Sequence, residues 1–371
     1  MDTVIKNYLE QLKVGRKQTY KNLSLYPLLS AYISGLDYLL LDEALNEGLI
    51  EVVEVSEGGS VPELKVVNKS VRMVLILDGE ELVGAKQNRI VNTTILVQGN
   101  SSLVIPVSCV EHGRWSYNTP RFQTQNRMMS SNLRAMKSEQ VSYSIRSTGQ
   151  FRADQGAIWD GIAEKAARRG AHSPSGAMAA IYDKERPSID EYIKDFHLID
   201  SQVGAIFMIN GQVAGLDAFG KPGTFSKVFK KLLESYALDA IDWYEPDKEH
   251  KALKSEVTRF QKATLAADAE GRPSVGLGTD FRLDSRKVTG FALAFDDQVI
   301  HISIFARTDV QKPQKRLPGW GDIRRGEEIG FNLEGKKFLF SKMFPSMFLN
   351  LLGHFFAEII QFFPNPYFLL N

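Results

Sequence analysis

Cysteine is nearly absent: of 371 residues only Cys109 carries a thiol. A lone cysteine excludes an intramolecular disulfide framework and Cys2His2 zinc ligation, and it fits a reducing cytoplasm. The six histidines are scattered, with no His-x3-His pair to bind a metal. An excess of one charge is lacking too. Lys and Arg number 45 against 44 Asp and Glu, a formal net charge of +1. No global field points to nucleic acid or a membrane surface, and sequence-specific nucleic-acid binding is not expected. The N-terminus, MDTVIKNYLEQLKVGRK, has no apolar signal core and reads as a short amphipathic helix. There is no complete Gly-x-x-x-x-Gly-Lys-Ser/Thr loop, no Gly-x-Gly-x-x-Gly after a strand and no Gly-x-Ser-x-Gly elbow. ATPase, Rossmann oxidoreductase and elbow-type hydrolase readings therefore lack support. What remains is an ordinary soluble composition, 43% hydrophobic and 24% charged, long enough for two or three domains.

The richest stretch is Val71–Trp115. Three apolar runs, Val71–Leu77, Val91–Val97 and Leu103–Val110, are bounded by turn residues such as Asp78-Gly79 and Gly99-Asn100, so each predicts a buried strand. Charged and amide residues crowd between and after them, where loops on a rigid sheet carry chemistry. Glu81 and Glu111, with Glu80 beside them, are candidates for acid–base work or for holding a hard metal. Lys86, Arg89 and Arg114 suit phosphate or carboxylate, Arg bidentately. Gln87, Asn88 and Asn92 add amide donors and acceptors, and Trp115 offers a ring to stack on a base. The bland alternative is a set of strand-end ion pairs worth little each. Cys109 alternates with Leu103, Ile105 and Val107, which predicts a buried, inert thiol.

The expected fold class is α+β: an N-terminal antiparallel β-sandwich or double-stranded β-helix-like unit, then an α+β unit with two hairpins and about four helices. The expected domains are 1–123, mostly β and including a strand within 20–34; 124–332, α+β; and a Phe-rich apolar tail, 333–371. Residues 121–152, rich in Arg, Ser, Asn and Gln, read as a connector containing a helix, either solvated or an anion-binding arm. Asp154 and Gly170 bracket a helix. Ser188-x-x-Glu191 after Pro187 reads as a capping box opening a short one. A further helix from Leu253 is expected to stop at Gly271 and Pro273. The hairpins, 203–219 turning at Asn210-Gly211 and 289–305 turning at Asp296-Asp297, share Gly, Gln, Val and Phe in register. Duplication and chance both explain that. If they pair, Asp217, His301 and Ser303 form a surface cluster. In the tail, Ser346–Phe363 is 18 residues long, but Asn350, His354, Glu358 and Gln361 share one helical face. An amphipathic helix is therefore expected, packed on the protein, a partner or a membrane surface.

The segments DGEELVGAKQNRIVNTTILV (78–97), IPVSCVEHGRW (105–115), QGAIWDGI (155–162) and VGAIFMINGQVAGLDAF onward (203–242) resemble the ARG and rhodanese-phosphatase superfamily-associated protein domain. The resemblance spans about residues 25–310, and GAKQNR and CVEHGRW are its specific part. It implies association with ADP-ribosylglycohydrolases and rhodanese-like phosphatases, hence a place in NAD or ADP-ribose metabolism, but supplies no catalytic roles and no cofactor. Two functions follow as expectations. One is an enzyme or binding protein for a phosphorylated nucleotide-like metabolite, with anion contacts at Lys86, Arg89 and Arg114. The other is a non-enzymatic adaptor for such partner enzymes.

Overall fold

The computed structural model describes residues 2–56 and 58–307, with the backbone of 329–333 and 336–340. The chain divides into two compact units, Met1–Gln311 and Lys312–Asn371. In the second, Ile329–Leu333 and Lys336–Phe340 pair as an antiparallel hairpin. The stretch Ser346–Phe363 lies outside the described residues. No helix among the described residues is long and apolar enough to cross a membrane.

The α+β class expected from the sequence holds. The described helices are α1 (Thr3–Gln11), α2 (Leu41–Asn46), α3 (Ser131–Thr148), α4 (Gln155–Arg169), α5 (Ala179–Ile193), α6 (Pro222–Asp242) and α7 (Lys254–Leu265). A nine-stranded antiparallel sheet runs Lys13–Val14, Leu23–Leu29, Gln202–Ile209, Gln212–Phe219, Gln298–Ala306, Val288–Phe295, Thr279–Asp284, Asp268–Pro273, with Gln18–Tyr20 also on Leu23–Leu29. Its faces bury different sets. Ala205, Phe207 and Ile209 join Phe225, Leu232 and Tyr236 of α6. Val203, Ile206 and Met208 join Ile5 and Tyr8 of α1 and Val257 and Phe260 of α7. A strand covered on both faces has no polar side, so Gln202–Ile209 is buried throughout.

The remaining strands form a separate β unit. A six-stranded sheet runs Phe122–Met128, Glu80–Gly84, Arg89–Val91, Ser101–Cys109, Glu63–Asn68, Ile50–Glu54. A three-stranded sheet, Ile95–Val97, Met73–Ile76, Tyr38–Leu40, packs on it through Val52, Val66, Ile76, Leu82, Val97 and Ile105.

Several local expectations are corrected. Leu23–Leu29, counted with the N-terminal β unit, pairs instead with Gln202–Ile209, because Leu25 and Leu28 feed the cores on opposite faces of the large sheet. Residues 121–152 contain the expected helix but are no connector. They form the edge strand Phe122–Met128 and then α3, whose Arg134 and Lys137 are fully buried. Pro187 sits inside α5, not before a new helix. Helix α7 ends at Leu265, and Gly271 and Pro273 belong to the edge strand Asp268–Pro273, where a missing N–H is tolerated. Helix α4 has the expected ends: Asp154 Oδ1 accepts from Ala157 N at 3.1 Å, and Gly170 caps it with φ +59°.

The hairpins do pair, Gln212–Phe219 against Gln298–Ala306. Both turns are left-handed, at Asn210-Gly211 and Asp296-Asp297. Each ladder slips at the equivalent place, Phe207/Met208 and Leu293/Ala294. Gly204 and Gly290 also match: a Cβ there would come within 2.4 Å of Asp217 O and 2.3 Å of Ser303 O respectively.

Candidate functional site

The turn Asp78-Gly79-Glu80 pushes two carboxylates out of the β unit. Asp78 pairs with Lys137 of α3, and Glu80 with Lys231 of α6, whose Nζ also lies 2.5 Å from Asp42. Beside them, Arg134 grips Asp217 with both terminal nitrogens, at 2.7 and 3.2 Å. The Tyr236 hydroxyl donates to the same carboxylate at 2.9 Å. Asp217, His301 and Ser303 do come together, yet all three are completely buried, not a surface cluster. Ser303 accepts from Arg134 at 3.0 Å, while His301 Nδ1 meets Thr94 Oγ1 at 2.8 Å. Burial lowers the His301 pKa against the pull of Asp217, so the ring is neutral. Thr94 Oγ1 also accepts from Asp78 N, and His301 Nε2 lies 3.5 Å from Asp217 Oδ1. This is a fastener between the β unit and the large sheet, built from charges that leave water only in pairs.

The GAKQNR and GRW segments meet, as expected. The strands Arg89–Val91 and Ser101–Cys109 pair, with Arg89 opposite Cys109, which brings the ends of both runs together. Glu111 is the hub. Its Oε2 accepts from Arg114 Nη2 at 2.6 Å, Arg114 Nε at 3.0 Å and Asn88 N at 3.2 Å, and its Oε1 accepts from Ser175 Oγ at 2.7 Å. Although burial pushes its carboxyl up, these donors prevail and hold the pKa below the usual carboxylate range. Arg114 also donates to Ala85 O at 2.7 Å, Ser116 O at 2.9 Å and Asn88 Oδ1 at 3.1 Å. Every nitrogen of its guanidinium is thus committed within the protein, where it ties the loop after Gly84 to the loop after Cys109. Arg114→Lys is expected to cost about 1.5–3 kcal/mol, the range for losing charge-assisted hydrogen bonds. Urea unfolding of the variant checks it, and an unchanged midpoint would remove the brace role.

Glu81 lies near this hub on a different partner. Its Oε2 accepts from Arg127 Nη1 at 3.1 Å, Arg127 reaches Asp183 at 3.0 Å, and Glu81 Oε1 is buried with no hydrogen bond. Burial outweighs Arg127 and pushes the carboxyl up to about 7. Gln87 Oε1 accepts from Arg89 Nη1 at 3.2 Å. Asn92 stands apart. Its Oδ1 accepts from Ser108, its Nδ2 donates to Phe151 O and its carbonyl accepts from Lys137, so it serves the fastener. Cys109 is fully buried and its thiol is pushed up to about 11, mainly by burial, the inert state expected. Among the described residues no group of three or more His, Cys, Asp or Glu is placed to hold a metal ion.

Arg89 has two guanidinium nitrogens left over. Its side chain has zero exposure, its Nη1 is bonded to Gln87, and its Nε and Nη2 have no hydrogen-bond acceptor. The nearest carboxylate oxygen is Glu54 Oε1, 3.9 Å from Nη2. The Trp115 ring lies over Arg89 at 5.6 Å and over Lys86 Nζ at 5.4 Å, and Tyr117 lies over the same ammonium at 5.2 Å. Trp115 is 47% exposed and Tyr117 52%. Beside them Tyr117, Asn118, Thr119 and Pro120 line an open cleft of about 490 Å3. Sequence reasoning missed Glu54, Arg127 and Ser175. Glu54 had a signal: it follows Ile50 and Val52 in alternation, a carboxylate on the inward row.

The comparisons with curated proteins and with solved structures give no match. The family profile of the ARG and Rhodanese-Phosphatase-superfamily-associated Protein domain matches residues 11–305, which takes in the fastener, the GAKQNR–GRW hub and both hairpins. The chain belongs to that family.

Proposed function

We propose that the face formed by Lys86, Arg89, Trp115 and Tyr117 binds a phosphorylated, ring-bearing metabolite of the nucleotide type, ADP-ribose and NAD being the first candidates. The observation that carries this reading is Arg89, a buried guanidinium with two donors left over. An unpaired buried donor costs about 1–3 kcal/mol, and an anion removes that penalty. The half-exposed Trp115 and Tyr117 rings supply stacking surface beside the open surface groove of Tyr117–Pro120. Within this reading Glu81 is the group that exchanges a proton near neutral pH, and Glu111 with Arg114 fixes the loop on which Trp115 stands. Gln87 and Asn88 orient Arg89 and Arg114.

The family's association with ADP-ribosylglycohydrolases and phosphatases favours the nucleotide over a free carboxylate. It also keeps the adaptor function in play, favoured by one observation: the segment Lys86–Arg89 is packed inward. Titration calorimetry of the full chain with ADP-ribose, NAD and inorganic phosphate decides between them. Trp115→Ala removes an exposed ring, so the fold is retained; affinity for ADP-ribose is expected to fall by about tenfold, the worth of one base stack. Binding that is unchanged in Trp115→Ala, or no heat with any of the three compounds, overturns the reading in favour of the adaptor.

A further inference from the structure

The carboxylate nearest Arg89 is a poor partner for it. Glu54 ends the edge strand Ile50–Glu54, and its side chain is 4% exposed. Its Oε1 accepts from Lys86 N at 3.4 Å and stays 3.9 Å from Arg89 Nη2, beyond hydrogen-bond reach. Its Oε2 is buried with no hydrogen bond. A buried cation with spare donors thus faces a buried anion with a spare acceptor, across a gap neither closes. Gly58 and Gly59 pack over Glu54 and the neighbouring Lys86. Gly58 O accepts from Lys86 Nζ at 2.7 Å. Gly59 adopts φ +76°, and a Cβ there would lie 3.1 Å from Lys86 Cδ and 3.4 Å from both Glu54 Oε2 and Trp115 Cζ2. Only a residue without a side chain closes over ring, ammonium stem and carboxylate this tightly.

We infer that Glu54 is a built-in stand-in for the ligand's anionic group: its carboxylate lies 3.9 Å from Arg89 Nη2, where a phosphate would bind, and must swing aside before a phosphate takes the position. This rests on the binding reading above and adds how the site is kept shut. The weak fit is the functional point. A carboxylate that satisfied Arg89 fully would exclude the ligand, whereas one held by long contacts keeps the guanidinium compensated yet yields to a phosphate, whose oxygens reach both spare donors.

The test is calorimetry with ADP-ribose and with inorganic pyrophosphate, on wild type, Glu54→Gln and Glu54→Ala. Removing the competing charge is expected to raise affinity by about tenfold, the factor that a site open about one-tenth of the time withholds from its ligand. The free variants should melt below wild type, since Arg89 loses its counter-charge, and should gain more on ligand addition. If Glu54 is a structural partner only, both variants lose stability while affinity stays at the wild-type value, and the inference fails with the binding reading intact. Weakened binding would make Glu54 a ligand contact and overturn it equally. If neither wild type nor either variant binds, inference and reading fail together.

Discussion

Asp217→Asn is expected to destabilise the protein by about 3–5 kcal/mol, the usual result of removing one partner from a buried ion pair. Asn keeps the shape but not the charge. Arg134, fully buried, then has no anion within hydrogen-bond reach, since Asp78 Oδ2 lies 3.8 Å from its Nε. The loss should appear in urea unfolding as a lower midpoint with an unchanged slope. The double variant Asp217→Leu with Arg134→Met should recover much of it, because an apolar pair of similar volume often matches a buried ion pair. A single variant within about 1 kcal/mol of wild type, the worth of an exposed pair, would show that the fastener carries little.

Glu81→Gln is expected to flatten the dependence of stability on pH between 5 and 8. Burial raises the Glu81 carboxyl from 4.5 to about 7, so the native state holds a proton that the unfolded chain has released. The contribution is fully present below the unfolded value and is lost as pH rises through the folded one. Above about 7 the native state carries a buried charge that Arg127 only partly offsets. The difference amounts to about 3 kcal/mol over that window. Gln removes the titration, so the variant should match wild type near pH 5 and exceed it at pH 8. Thermal melts across the window decide the matter, and an equal slope in both proteins would place the titrating group elsewhere.

Much of this architecture is legible locally. Asp154 and Gly170 end α4 because capping is settled by a few neighbouring residues. The Asn-Gly and Asp-Asp turns appear where they are expected, since a two-residue loop with positive φ suits few other residues. The failures are long-range. Arg134 and Lys137 look like a solvated connector because Asp78 and Asp217, which neutralise them, are far away in sequence. Leu23–Leu29 looks like part of the nearest β unit, since nothing local reveals that its partner is Gln202–Ile209. At the site, the meeting of GAKQNR and GRW follows from adjacent strands. Whether an Arg is spent or spare does not. Arg114 and Arg89 have similar surroundings on paper, yet one guanidinium is saturated and the other is not.

The pairing of Leu23–Leu29 with Gln202–Ile209 also orders events in time. A chain made from its N-terminus presents this apolar strand long before its partner exists. The β unit within residues 38–128 has all its strands to hand much earlier and is able to assemble while the opening strand waits. Closing the large sheet then spans about half the chain, a high contact order that slows the last step. During synthesis the edge of Leu23–Leu29 that faces Gln202–Ile209 stays unpaired until that strand is made, and a truncation ending before Gln202 leaves it without the neighbour that shields it.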